Sequence, residues 1–187
     1  MQIIELVIEN DKDGIEAISV VDRPAIEENF IALSKELKVE LKEVDEEKKI
    51  LMGAALIPNK QIYRKDEKGN EFYVFFSDKT VRQASELFLM NGNQSNATQQ
   101  HQKSIDGMTV VESWIIEDKV HDKSVKYGFN LEVGTWMICM KCQNDSVWKD
   151  VKSGKVKGFS IEGYFADKLE MKEEKDLINK IIDIING

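Results

Sequence analysis

Proline, histidine and cysteine are all scarce in this chain of 187 residues, with two of each. Two cysteines allow one disulfide at most, which excludes a disulfide scaffold. Cys139 and Cys142 do have a metal-like C-x-x-C spacing, but a zinc site would need both histidines as well. They also sit in one expected strand, where residues three apart point to opposite faces. The reading is two reduced thiols, with no metal and no cofactor. Aromatic residues are 8% of the chain, and no apolar run approaches the roughly 18 residues of a membrane span. The opening MQIIELVIENDKDG has neither a basic nor an apolar leader region, so no signal peptide is expected. Basic residues are outnumbered, 26 to 34, for a net charge of −8. No basic patch stands out, so neither nucleic acid nor an anionic membrane is an expected partner.

What is present is a soluble-protein composition, 42% hydrophobic and 32% charged, in a chain long enough for one domain with a real core. Residues 2–8 and 14–21 read as strands joined by the turn ENDKDG, and Arg23-Pro24 stops the second. Residues 25–33 are expected to pack as a short helix or an extended tail. Residues 34–49 are dominated by Lys and Glu and read as a charged connector. ILMGAALI (50–57) is a buried strand, and 60–76 a hairpin turning near Lys68-Gly69-Asn70. Ser77 opens a helix running to about Asn91, with Val81, Ala84 and Phe88 on one face and Gly92 at its end. GNQSNATQQ is polar and turn-rich, hence a loop, and 107–118 is a strand. The turn KVHDKSVKYG follows. Residues 169–187 show the spacing of a C-terminal amphipathic helix.

The stretch from Gly134 to Phe165 organises the rest. TWMICMKC (135–142) reads as a strand. Asn144 or Asp145 caps a short helix whose apolar face is Val147, Trp148 and Val151, and Gly154 ends it. KGFSIEGYF then alternates: Phe159, Ile161 and Phe165 one way, Ser160, Glu162 and Tyr164 the other. On spacing alone Ser160 is a solvated strand serine and Glu162 a surface ion-pair partner.

The run VWKDVKSGKVKGFSIEGYF resembles the nucleophile segment of phage prohead (capsid maturation) serine proteases, which carry a helix, a K-x-G turn and then G-x-S-I/V on a strand. The variant SIEGYF is similar to the branch of the defective-prophage type. The resemblance implies an α+β, mainly β fold: an assemblin-like β-barrel, related to herpesvirus capsid proteases, flanked by helices. It implies Ser160 as nucleophile. It also implies His101 as general base, because Q-H-Q precedes GMTVVESWIIED much as the family's histidine precedes its G-x-V-V-x-S-W strand. His121 lacks that context. Glu112 and Ser113, in the strand after His101, are weaker candidates for lining a substrate groove.

The family's third member lies after the serine in a strand of the form E-V-S-L-V-x-x-P-A. Here that pattern opens the chain instead, as EAISVVDRPA (16–25). A circular permutation is therefore expected: residues 1–33 as permuted strands, 34–49 as connector, 50–168 as the main barrel with His and Ser, and 169–187 as a C-terminal helix. Aligning Ser19 and Pro24 puts Ala17 at the acidic position. Asp22 and Glu16 are the remaining candidates, and Glu16 would need a bulge to turn its face. Arg23 is a further candidate, as an oxyanion contact beside a backbone N–H near Ser160.

The implied activity is a maturation endopeptidase cutting phage scaffold and capsid proteins, and itself. It would work in the host cytoplasm, inside the procapsid, with self-association left open. The alternative is an inactive, scaffold-like assembly protein on the same fold. A host esterase is disfavoured, since GFSIEG has Glu162 where a G-x-S-x-G elbow needs glycine.

Overall fold

The computed structural model describes residues 2–10, 12–27, 31–33, 48–65 and 68–167. Among the described residues it is mainly β, with two α-helices. The strands are β1 (Gln2–Val7), β2 (Gly14–Val21), β3 (Ile31–Leu33), β4 (Ile50–Leu56), β5 (Ile62–Lys65), β6 (Glu71–Phe76), β7 (Ala97–Gln99), β8 (Lys103–Ser104), β9 (Met108–Ile115), β10 (Trp136–Cys142), β11 (Gly158–Tyr164) and β12 (Ala166–Asp167); the helices are α1 (Asp78–Met90) and α2 (Asp145–Lys152).

The described strands form three open four-stranded sheets, ordered β12-β1-β6-β5, β3-β4-β10-β9 and β11-β2-β7-β8. Strands β1 and β2 therefore belong to different sheets, so the turn between them is a crossing rather than a hairpin. The segment GNQSNATQQ, expected as a loop, instead holds a short 3-10 turn (Asn93–Ser95) and β7. That strand forms because its neighbour β2 supplies parallel partners: Ile18 to Ala97, Ser19 to Thr98 and Val20 to Gln99. Residues 34–47 of the expected connector and the whole of the expected C-terminal helix, 169–187, lie outside the described residues. Of the tail 25–33, its last three residues are strand β3, antiparallel to β4.

The core is centred on β4 and β10. Residues Trp136 to Met140 are fully buried, as are Leu51 and Leu56, which is why both strands read as unbroken apolar runs. Helix α1 lays Val81, Ala84 and Phe88 on this core, and the Phe88 ring meets Trp136 edge-on at 5.5 Å between centroids. Helix α2 starts where Asn144 Oδ1 accepts the Ser146 and Val147 N–H groups, each at 3.1 Å. It ends at Gly154 in the left-handed region, φ +72°. Asp150 then fixes the turn into β11: its C=O accepts the Lys155 N–H at 2.9 Å, and its carboxylate accepts Gln99 Nε2 of β7 at 2.9 Å. Among the described residues no helix is long and apolar enough to cross a membrane.

Candidate active site

The third sheet brings the chemistry together. Strand β11 is antiparallel to β2, and Ser160 pairs directly with Ser19. Ser19 in turn pairs with Thr98, and Thr98 with Ser104. Directly paired residues share a face, so a row of four hydroxyls crosses the sheet. Ser160 is 8% exposed and Ser19 is fully buried.

His101 sits over this face, in the turn between β7 and β8. The Gln102 N–H bonds the Gln99 C=O at 3.1 Å, and the two residues between them, Gln100 and His101, have φ of +54° and +55°. A tight hairpin turn demands such values, and side chains larger than glycine take them only at a cost of about 1 kcal/mol or more each. Strand β2 holds the turn there. Val20 C=O accepts the Gln100 N–H at 3.1 Å, and Ser19 Oγ accepts the His101 N–H at 3.1 Å. With its amide oriented to satisfy both groups, the Gln100 side chain donates to Asp22 Oδ1 and accepts the Asp22 N–H, each at 3.2 Å.

The carboxylate that meets the histidine is Glu162, in place of the expected Asp22 or Glu16. His101 Nδ1 and Glu162 Oε1 are 3.0 Å apart, and Thr98 Oγ1 donates to the same oxygen. Glu162 stands two residues from Ser160 on the same face. It must reach over β2 to do this, and the residues beneath it are small, Ala17 and Ser19. Asp22 acts one step away, on the neighbour of His101. Glu16 does sit at a bulge: Glu162 pairs with Ala17 and Gly163 with Ile15, leaving Glu16 without a partner. Its side chain is exposed, however, and among the described residues it has no side-chain hydrogen bond or ion pair, while its C=O accepts Asn96 Nδ2 at 3.1 Å. The bulge requires Gly163, because a Cβ there would fall on the Gly14 carbonyl, 2.8 Å from Ile15 Cα.

With Nδ1 facing Glu162, the free nitrogen of His101 is Nε2, the one a serine would use. Among the described residues Ser160 Oγ has no hydrogen-bond partner, His101 included. Such contacts are often long without substrate and tighten when it binds.

The other candidates are occupied elsewhere. His121 pairs with Asp118 at 2.8 Å in an exposed turn and is 82% exposed. Ser113 Oγ accepts Trp136 Nε1 at 2.8 Å, and Glu112 pairs with Lys123. Arg23 lines a cleft at the end of the β2–β11 pair. Cys139 and Cys142 are buried and unbridged, and burial pushes both thiols up. Among the described residues no cluster of three His, Cys, Asp or Glu could hold a metal.

A model of the family described as "Putative phage serine protease XkdF" matches residues 37–170, well over half of the chain. The match takes in His101, Ser160 and Glu162 but not β1, β2 or β3. No curated protein and no solved structure matches the chain.

Proposed function

Because this chain belongs to that family of phage serine proteases, we propose that it is a capsid-maturation endopeptidase with Ser160, His101 and Glu162 as its catalytic groups. The contact between His101 Nδ1 and Glu162 carries this reading. A serine hydroxyl is a weak nucleophile until a base takes its proton, and the base must be held in one tautomer. Glu162 favours the proton on Nδ1 and leaves Nε2 to accept. Ser160 Oγ attacks the scissile carbonyl while its proton passes to Nε2. The imidazolium is stabilised by the carboxylate at 3.0 Å and then protonates the leaving amine. Water repeats the sequence on the acyl-enzyme. A backbone N–H near Ser160 is the expected oxyanion donor.

Ser19, Gln100 and Asp22 are positioning residues, because they fix the strained turn that carries His101. All but Gln100 come from β2 or the residue after it. Strand β2 lies outside the matched family segment yet occupies the middle of the catalytic sheet, which supports the circularly permuted, assemblin-like reading. In this reading the substrates are phage scaffold and capsid proteins within the procapsid, and the chain itself.

The rival is an inactive assembly protein, favoured by the missing bond between Ser160 and His101. Co-expression with the neighbouring phage capsid and scaffold proteins separates the two, wild type against Ser160→Ala, read by intact mass. Cleaved products that vanish in the variant support the protease. Identical masses in both favour the assembly protein.

A further inference from the structure

A cleft of about 620 Å³ opens where β2 and β11 end, bounded on its far side by the β5–β6 hairpin. Arg23, Arg64 and Lys157 line it, together with Tyr63 and Tyr73. In a chain of net charge −8, three cations at one cleft need an explanation. Among the described residues, Arg64 donates only to the neighbouring Tyr63 C=O, at 3.1 Å. Among the described residues none of the three has a carboxylate partner. The two acids at the rim are engaged otherwise: Asp22 holds Gln100, and Glu27 faces Lys60 at 3.7 Å.

The cleft is also continuous with the catalytic sheet. The Lys157 N–H bonds the Val21 C=O at 2.7 Å, and Gly158 pairs with Val21. Ser160 is three residues beyond Lys157, or ~10 Å along a strand. An extended peptide whose scissile carbonyl lies at Ser160 spans that distance in about three residues.

We propose that this cleft is a substrate subsite selecting an aspartate or glutamate within three positions of the scissile bond. Guanidinium groups recognise carboxylates with paired hydrogen bonds, and the two tyrosine rings offer an apolar wall for the acid's aliphatic stem. The proposal rests on the protease reading above.

The test uses the full chain and peptides from a chymotryptic digest of a bacterial proteome, with cleavage sites read by mass spectrometry. Fluorophosphonate labelling of wild-type Ser160 is run in parallel. The expected result is enrichment of Asp and Glu within three positions of the cut. Arg23→Glu/Arg64→Glu should lose that enrichment, and kcat/KM for an acidic peptide should fall about tenfold or more. Arg64→Lys should fall less, since it keeps the charge without the fork. Circular dichroism checks that each variant is folded. Labelling with cleavage that ignores acidic residues would overturn the subsite and leave the protease intact. So would a charge-reversed variant that still selects them. The absence of both labelling and cleavage would overturn the protease reading, and the subsite with it.

Discussion

Replacing Glu162 with glutamine separates its charge from its shape. Glutamine keeps a carbonyl oxygen where Glu162 Oε1 now accepts from Thr98 and faces His101 Nδ1 at 3.0 Å. The ionic stabilisation of the imidazolium is lost, and the amide, which can turn either its oxygen or its NH2 toward Nδ1, no longer fixes the tautomer of His101. At 3.0 Å that stabilisation is ~1.4 kcal/mol at the dielectric of water and ~5.5 kcal/mol at an effective value of 20. The side chains are 43% and 30% exposed, so screening holds the energy to the middle of this range, ~3–4 kcal/mol. At ~1.4 kcal/mol per tenfold change, Glu162→Gln should slow acylation of Ser160 by roughly 10²–10³. The rate is measured as fluorophosphonate labelling followed by intact mass, with Asp22→Asn and Glu16→Gln alongside. Glu16→Gln should label like wild type. Asp22→Asn should lose no more than about threefold, since an amide can still bond Gln100. Glu162→Gln labelling at the wild-type rate while Asp22→Asn falls a hundredfold would refute the assignment.

Four further outcomes follow from particular contacts. Ser19→Ala removes the acceptor of the His101 N–H and should cost ~1–3 kcal/mol in denaturant unfolding, with slower labelling well below the melting temperature; unchanged stability and labelling would contradict the clamp. Gly163→Ala puts a methyl on the Gly14 backbone, so the bulge must shift, and a loss of ~1–3 kcal/mol or more is expected in the same assay. Thr135 is fully buried and its hydroxyl has no partner among the described residues; Thr135→Val should raise stability by ~1 kcal/mol or more, and a destabilised variant would mean that the hydroxyl is bonded. The Asp118 carboxyl is held down to about 2 by the hydrogen bond from His121 and by the Val120 and His121 N–H groups. Its contribution to stability is present above its ordinary value of 3.8 and is lost as pH falls through about 2. NMR of the carboxyl carbon should give that low midpoint, moving upward in His121→Ala; a wild-type midpoint near 3.8 would contradict it.

Local patterns were legible in the sequence where one element decides its own structure. The cap at Asn144, the stop at Gly154, the buried runs of β4 and β10 and the apolar face of α1 all appear as expected. Ser160 and Glu162 on one face of β11 follow from alternation alone. What alternation does not contain is the identity of the next strand. Glu162 reads as a surface residue until β2 is inserted beside β11 with Ala17 and Ser19 beneath the carboxylate and Thr98 beyond them. Strand β7 is hidden in the sequence for a related reason. Its three residues sit within a polar, turn-rich segment, and it becomes a strand through pairing with β2, some 80 residues earlier in the chain. The bulge at Glu16 had a local signal in Gly163, which cannot carry a side chain against Gly14.

The most direct test of the central claim is the site and dependence of covalent labelling. Wild-type protein, Ser160→Ala and His101→Ala are treated with a fluorophosphonate and mapped by peptide mass spectrometry. The account predicts a single adduct on Ser160 in wild type, none in Ser160→Ala, and labelling slowed at least a hundredfold in His101→Ala. An adduct elsewhere, or equal labelling with and without His101, would contradict it.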